Sequence, residues 1–141
     1  MTKSRLKIFS FFTMVAILNM TFLTACSTPP LSADFDEEQV KLVAQDVVSL
    51  LNAQDTEGLR AIFTERMNTA ITDEVFTQIY AAIGEGGEFE AIDSMTVNGS
   101  TDQSTGEKFA TVTTRAKYAA KTFTYTISFN KDMQVAGLYY K

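Results

Sequence analysis

The spacing of apolar residues changes once along this chain, and that change limits the fold more than any other feature of the sequence. From Asp34 to Ile83 there is no proline and one glycine, and apolar residues recur every three or four positions, as in amphipathic helices. From Glu88 onward apolar and polar residues alternate, as in strands with one buried and one hydrated face. Helices followed by strands predict an α+β fold.

Three helices are predicted in the first half. The first follows Asp34, which can act as an N-cap with Glu37 three residues later, as in a capping box. The second follows Asp55 and the third follows Thr72, because both residue types favour N-cap positions. The glycine-rich segment Gly84–Gly87 ends the third helix. The predicted core-facing positions are Val40, Val43, Ala44, Val47, Leu50 and Leu51, then Leu59, Ile62 and Phe63, then Val75, Phe76, Ile79, Tyr80 and Ile83.

Four strands are predicted in the second half, joined as an antiparallel sheet. The clearest is residues 122–129, where four large apolar residues alternate with threonine and serine. Those four residues, expected to face the helices, are Phe123, Tyr125, Ile127 and Phe129. The neighbouring strands are Phe89–Val97, Lys108–Ala119 and Met133–Tyr140, with a long loop at Asn98–Glu107 and a short hairpin loop at Asn130–Asp132.

The first 25 residues are interpreted as a signal peptide. Three basic residues precede Ile8–Leu23, 16 residues without a charge, which is shorter than a membrane-spanning helix needs. The sequence Leu23-Thr24-Ala25-Cys26 resembles the lipobox of bacterial lipoproteins. This resemblance implies cleavage between Ala25 and Cys26 and a diacylglyceryl group, with acyl chains such as palmitate, on Cys26. The alternative is an uncleaved anchor with an incidental cysteine. Residues 26–33 then form a short spacer before a domain at 34–141.

Composition excludes several classes of site. The chain has no histidine and one cysteine, so an internal disulfide and any cysteine-based zinc site are excluded. After cleavage the chain would carry 9 basic and 17 acidic side chains, which argues against nucleic acid as a partner. Residues 108–141 hold six of the basic side chains and one acid. This imbalance is either an ordinary consequence of acid-rich helices or a cationic sheet surface for an anionic partner.

Four segments carry a resemblance to a known family. They are Val47–Asp55, Leu59–Met67, Gly87–Ile92 and Val135–Tyr139. From about Glu38 to Tyr140 the chain resembles the DUF3887 family of small NTF2-like domains, found in lipoproteins and exported proteins of Gram-positive bacteria. The resemblance implies a cone in which about three helices pack on a curved four-stranded antiparallel sheet. It carries no activity, because the shared segments are packing and turn signatures.

Asp93 is the only candidate for a catalytic base. Enzymes of the cone fold use a carboxylate, tyrosine or histidine inside an apolar cavity, and Asp93 lies in phase with the apolar residues of Phe89–Val97. Buried there, its pKa would rise, and Tyr80, Tyr118 or Tyr125 could supply a hydrogen-bond donor. The alternative, which we favour, is that Asp93 lies at the sheet rim or beside a bulge and pairs with Arg115 or Lys117.

The sequence therefore predicts a non-catalytic domain on the extracytoplasmic face of the cell membrane of a Gram-positive-type bacterium. It would bind a small ligand, a peptide or an envelope partner, and no cofactor or metal is expected. Two alternatives are a small isomerase- or hydrolase-type enzyme using Asp93, and a homodimer formed through the threonine-rich sheet face. The residues expected to line a pocket or the core are Tyr80, Asp93, Tyr118, Phe123, Tyr125, Ile127, Phe129 and Tyr139.

Overall fold

The computed structural model of the protein describes residues 28–141. The predicted signal peptide and the predicted modification of Cys26 lie outside this range. The elements are α1 Glu37–Ala53, α2 Thr56–Ile62, α3 Glu65–Ala70, α4 Asp73–Gly84, β1 Phe89–Thr101, β2 Lys108–Tyr118, β3 Thr122–Phe129 and β4 Val135–Tyr140. None of the helices in the described range is long and apolar enough to cross a bilayer.

The four strands form one antiparallel sheet in the order β1-β2-β3-β4. Helices precede strands along the chain, so the predicted α+β class is confirmed. The prediction for residues 122–129 also holds: Phe123, Tyr125, Ile127 and Phe129 are all buried against the helices. We call this helix-covered side of the sheet the inner face, and the opposite, threonine-rich side the outer face.

The sequence prediction missed one helix, because there are four rather than three. The missed helix is α3, which has six residues and buries one side chain, Met67, so no periodic apolar stripe marks it. Thr64 is its N-cap, since the Thr64 hydroxyl accepts a hydrogen bond from the Met67 backbone N–H at 3.2 Å. Contacts to other elements also hold it: the Asn68 side-chain amide donates to the Arg60 carbonyl at 2.9 Å, and the Thr64 N–H donates to the Val135 carbonyl at 3.0 Å.

The predicted N-cap of the first helix also requires correction. Asp36, not Asp34, caps α1, and its carboxylate accepts from the backbone N–H of Gln39 at 2.8 Å. Asp34 instead pairs with Lys108 at 3.3 Å and with Lys131 at 3.4 Å. The other two caps, Asp55 and Thr72, are confirmed as the N-caps of α2 and α4.

Strand β1 is longer and less regular than predicted. It continues past Val97 to Thr101, and its register with β2 shifts twice, between Phe89 and Ala91 and between Ile92 and Ser94. Each shift adds a residue to one strand and changes which side chains face the core. As a result the strand does not follow a simple alternation along its first half.

Residues 29–35, which precede α1, pack against the domain. The backbone N–H of Gly99 in β1 donates to the Pro29 carbonyl at 3.0 Å, and a side chain at Gly99 would collide with the Pro30 carbonyl. Leu31 and Phe35 pack against the core. The predicted spacer is therefore docked on the end of the sheet from Pro29 onward.

Candidate functional site

Asp93 does not enter the core. It lies exposed at the bulge between Ile92 and Ser94, because the two register shifts move it out of phase with the apolar residues of β1. This is the favoured position beside a bulge, but the expected pairing with Arg115 or Lys117 is not seen. Asp93 forms no salt bridge within the described residues, and Lys117 Nζ lies 2.7 Å from a Glu90 carboxylate oxygen. That hydrogen bond raises the pKa of Lys117, and the charge of Asp93 adds a smaller effect in the same direction.

The other residues predicted to line a pocket or the core lie in three different parts of the structure. Phe123, Ile127 and Phe129 fill the core between the sheet and the helices. Tyr139 lies on the outer face beside Thr126, with 74% of its surface exposed. The three remaining residues, Tyr80, Tyr118 and Tyr125, gather at one end of the inner face.

At that end an opening of about 310 Å³ separates the helices from the sheet, and we call it the mouth groove. Asn52 at the end of α1 and Tyr80 near the end of α4 form its helical side. Its sheet side is formed by Glu88, which directly precedes β1, by Phe89 at the start of β1 and by Tyr118 at the end of β2. Phe89 is 37% exposed, and its ring meets that of Tyr118 edge to face at 5.5 Å between centroids.

A chain of hydrogen bonds runs from the core to this groove. The Tyr118 hydroxyl donates to Asn52 Oδ1 at 2.6 Å, so the Tyr125 hydroxyl, 2.8 Å from that of Tyr118, must be the donor of its own bond. Burial raises the pKa of both hydroxyls above the usual value for tyrosine. Both tyrosines therefore stay neutral, and the chain has one direction, from Tyr125 through Tyr118 to Asn52.

The groove end of this chain offers groups that a ligand can use. The side-chain NH₂ of Asn52 makes no hydrogen bond within residues 28–141, which leaves two donors at the groove. The Glu88 side chain is exposed at the rim and provides an acceptor, while Phe89 and Tyr80 provide aromatic surface. This combination suits a small ligand that carries carbonyl or hydroxyl groups on a flat or apolar frame.

A second opening, of about 450 Å³, lies between α3 and the outer face of the sheet and reaches from β4 across to Phe109 of β2 and Ser100 of β1; we call it the edge groove. Arg66 and Met67 of α3 form one wall, and Gly137 of β4 with Ser128 of β3 forms the floor. Among the described residues there is no cluster of three or more side chains that could hold a metal ion.

The family model described as "Protein of unknown function (DUF3887)" matches residues 44–138. The chain belongs to the DUF3887 family. The predicted resemblance to this family is thereby confirmed. The DUF3887 domain is also similar to an NMR structure of a protein from Ruminococcus gnavus ATCC 29149, with a TM-score of 0.70. The two are 21% identical, and the match covers 79% of this chain and 96% of that one. The two proteins therefore share a fold. Comparison with curated proteins finds no match.

Two surface features of this DUF3887 domain were not predicted from its sequence. The sequence assigns no role to Asn52, although it ends the hydrogen-bond chain. The edge groove was not predicted, because it depends on α3. The one available signal for the mouth groove was the set of three tyrosines that could act as donors, Tyr80, Tyr118 and Tyr125.

Proposed function

We propose that this protein is a lipid-anchored extracytoplasmic module whose NTF2-like domain binds a small ligand in the mouth groove and performs no catalysis. Its membrane partner would be the bilayer itself, through acyl chains on Cys26. Two or more acyl chains hold a protein stably on a membrane, whereas one chain does not.

The observation that supports ligand binding is the chain from Tyr125 to Asn52. Three polar side chains are aligned behind one wall of the groove, and the last of them leaves two amide donors unused within the described residues. A core built only for stability could use phenylalanine at both tyrosine positions. An ordered polar chain that ends in an opening is instead typical of a site that fixes the orientation of a ligand.

The NTF2-like assignment is supported by the arrangement of the layers. The helices cover one face of an antiparallel sheet whose first strand carries two register shifts, and bulges of this kind bend a strand. A sheet bent in this way around helices would form the cone that the family resemblance implies.

The enzyme alternative has less support than binding. Its base would be Asp93, which is exposed and lies in neither groove. One feature supports the alternative of a homodimer formed through the outer face. Tyr139 is a large, exposed side chain on that face that a second copy could cover.

Metabolic labelling tests the anchor. Cells that express the wild type with an alkyne fatty acid should give a labelled protein, and Cys26→Ala should abolish the label. Ser27→Ala is the matched control and should keep it. Equal label on the wild type and Cys26→Ala would reject lipidation of Cys26.

Side-chain amide NMR tests the groove. The mature ¹⁵N-labelled protein is titrated with a panel of acetylated dipeptide amides and small polyols, and the Asn52 NH₂ signals should shift with at least one compound. Asn130, whose amide already donates to Gln134 at 3.2 Å, is the internal control. Phe89→Ala should weaken the response. If no compound moves the Asn52 signals more than those of Asn130, the mouth groove is not the binding site.

A further inference from the structure

We propose that the edge groove binds a saccharide, which lies across the outer face of the sheet beside α3. This site is separate from the mouth groove, because the two grooves share no lining residue. The proposal rests on a row of hydroxyl groups, on an exposed tyrosine ring and on two side chains of opposite charge.

Three hydroxyl groups form a row across the outer face, one from each of three neighbouring strands. The Thr111 hydroxyl of β2 lies 3.3 Å from the Ser100 hydroxyl of β1 and 2.9 Å from the Ser128 hydroxyl of β3. Both serines line the groove. Because Thr111 has one proton, it can donate to only one serine while the other donates to it, and the first serine keeps its own proton for a ligand. Each serine also keeps a free lone pair, so the row can both donate to a ligand and accept from it.

The row ends at an open space on β4. Gly137 is paired with Ser128 and lies on the same face of the sheet. A Cβ placed on Gly137 would make only ordinary contacts, at 3.6 Å from the Ser128 Cβ and 3.9 Å from Tyr139 Cε2. The φ angle of Gly137 is not positive, so the backbone would accept other residues there. Glycine at this position therefore keeps the floor open between the Ser128 hydroxyl and the Tyr139 ring.

Tyr139 gives the groove an aromatic surface. Its side chain is 74% exposed, and its ring borders the open space above Gly137. Phe109, half-buried on the same face, is a second aromatic residue in the lining. The face of an aromatic ring carries partial negative charge, on which the polarised C–H groups of a sugar ring can pack. Aromatic rings beside a row of hydroxyls thus match a saccharide, whose rings have C–H groups on their faces and hydroxyls at their edges.

Two charged side chains of the lining are free to bind a ligand. Arg66 is exposed and forms no ion pair among residues 28–141. Asp102 Oδ1 accepts from the backbone N–H groups of Ser104 and Thr105, at 2.7 and 3.1 Å, whereas Oδ2 makes no hydrogen bond in the described part of the chain. The hydrogen bond from the Ser104 side chain holds the pKa of Asp102 below its usual range, so this carboxylate is charged at neutral pH.

The charges favour a neutral ligand. Because the lining holds one cation and one anion, it selects neither an acidic nor a basic ligand. A guanidinium that donates two parallel hydrogen bonds, and a carboxylate that accepts, can each bind adjacent hydroxyls of a sugar. A zwitterion such as a dipeptide would also meet both charges, but it has no hydroxyls to pair with the row and no C–H faces for the Tyr139 ring.

NMR titration tests the proposal on the mature ¹⁵N-labelled protein in dodecylphosphocholine micelles, whose headgroups carry no sugar. Maltotriose, cellotriose and tri-N-acetylchitotriose are each added to about 10 mM, and glycylglycine is the zwitterionic comparison. The backbone amide signals of Ser128 and Leu138, two residues of the lining, should shift with at least one trisaccharide and not with glycylglycine. The Asn52 NH₂ signals report binding in the mouth groove separately.

A saccharide can reach the groove as a free glycan or as a glycolipid headgroup, since both present the same hydroxyls. Micelles doped with a diglucosyl diacylglycerol distinguish the two sources. A shift of the Ser128 and Leu138 signals with the glycolipid alone assigns the ligand to a headgroup. A shift with a free trisaccharide alone assigns it to a free glycan.

A matched pair of variants tests the hydroxyl row. Thr111 and Thr113 are both half-buried on the outer face of β2, but only Thr111 bonds to the two serines of the groove. Thr111→Val should weaken binding about 3- to 10-fold, because Ser100 and Ser128 lose the group that orients them. Thr113→Val should leave the Kd unchanged. A purely structural row would change the stability of Thr111→Val and leave its affinity for the saccharide as it was.

Two further variants test the floor and the free carboxylate oxygen. Gly137→Val fills the open space and should weaken binding about tenfold or more. Asp102→Asn replaces the free oxygen by a donor, while its remaining oxygen can still accept the loop N–H groups, and should also weaken binding about tenfold or more. Asp132→Asn is the control for the loss of charge, since Asp132 is exposed in the β3–β4 loop and lies outside the groove.

Four results would overturn the proposal. The first is no shift of the Ser128 and Leu138 signals with any trisaccharide or with the glycolipid at about 10 mM. The second is a shift of those signals with glycylglycine only, and the third is saccharide binding that Gly137→Val leaves unchanged. The fourth is a dimer that Gly137→Val dissociates, without saccharide binding, since a second copy would then cover Tyr139. None of these variants lines the mouth groove, so failure here leaves the ligand proposed for that groove standing.

Discussion

At the scale of single residues, two buried side-chain oxygens among residues 28–141 have no hydrogen-bond partner, Asn68 Oδ1 on α3 and Thr114 Oγ1 in the core of the sheet. Thr114 lies on the inner face of β2 between Met95 and Tyr125, and it is fully buried. Its hydroxyl has no hydrogen-bond partner within the described residues. A buried hydroxyl without a partner reduces stability, because it has lost its bonds to water and gained none.

We therefore expect Thr114→Val to increase the free energy of unfolding by about 1–3 kcal/mol in denaturant melts. Valine has the same shape and removes only the hydroxyl. Thr113→Val, on the half-buried outer face, is the control and should change stability by less than about 0.5 kcal/mol. A destabilised Thr114→Val would mean that the hydroxyl is bonded in solution, for example to a buried water.

The direction of the tyrosine chain gives a second residue-scale prediction. Tyr118→Phe leaves the buried Tyr125 hydroxyl without an acceptor and should cost about 1–3 kcal/mol. Tyr125→Phe removes only a donor, because Tyr118 still donates to Asn52, and should cost about 0.5–1.5 kcal/mol. Equal costs in urea melts, or the reverse order, would contradict the assigned direction.

Because of Tyr118 and Tyr125, the stability of the protein should fall as the pH rises into the alkaline range. Burial raises the pKa of both hydroxyls, so above about pH 10 the unfolded chain loses protons that the folded protein keeps. The contribution of the two tyrosines to the free energy of unfolding is thus fully present below about pH 10. It is lost as the pH rises through the pKa values that the two hydroxyls have in the folded protein. Tyr125→Phe should show a shallower loss of melting temperature above about pH 10 than the wild type.

At the scale of elements, β3 gives the sharpest test of the fold. Ile127 is fully buried on the inner face, while Thr124 on the outer face is half-buried. Ile127→Ala should cost about 2–5 kcal/mol, because it leaves a cavity. Thr124→Ala should cost less than about 0.5 kcal/mol. Similar losses in denaturant melts would mean that the faces of β3 have been assigned incorrectly.

The docked segment before α1 is the second element-scale feature. A methyl group at Gly99 would collide with the Pro30 carbonyl, so Gly99→Ala should release residues 29–31 from β1. We expect hydrogen exchange and protease cleavage in this segment to become about tenfold faster or more, because its contacts would open locally. Gly84→Ala is the control, since nothing lies within 4 Å of a Cβ there. Unchanged protection in Gly99→Ala would contradict the docking.

At the scale of the whole molecule, the two grooves lie toward opposite ends of β1. The mouth groove contacts Phe89 and the edge groove contacts Ser100, eleven residues further along, or roughly 30 Å in a bent strand. The segment at Pro29 docks at Gly99, near the edge groove. If Cys26 carries lipid, only two residues separate it from this docking point, so the edge-groove end must face the membrane.

This orientation predicts how labels respond to lipid. With Cys26 blocked by its lipid, single cysteines introduced as Gln103→Cys and Glu88→Cys carry a dye in membrane vesicles. Nitroxide headgroup lipids should quench the dye at Gln103 strongly and the dye at Glu88 weakly, since Gln103 lies in the loop that follows β1. Equal quenching, or stronger quenching at Glu88, would show that the domain is not held in this orientation.

Several features followed from the sequence because they depend on neighbours close in the chain. The alternation in β3 identified its buried face, because a strand places successive side chains on opposite sides. Asp55 and Thr72 identified two helix starts, because a cap bonds to a backbone N–H three residues away. The interpretation of the first 26 residues as an export signal also depends only on residues adjacent in the sequence, and it remains a prediction.

What only the tertiary structure decided depends on residues far apart in the chain. The sequence left open whether Asp93 lies in the core or beside a bulge, and the bulge that places it outside the core forms only in register with β2. Asn52 and Tyr118 are 66 positions apart, so no local pattern could predict their hydrogen bond. The edge groove requires α3, which is held mainly by contacts outside itself and lacks a periodic apolar stripe of its own. The spacing of residues along the chain indicates which face of a helix or strand a side chain lies on. The pairing of segments that are distant in the sequence decides which residues that face contacts.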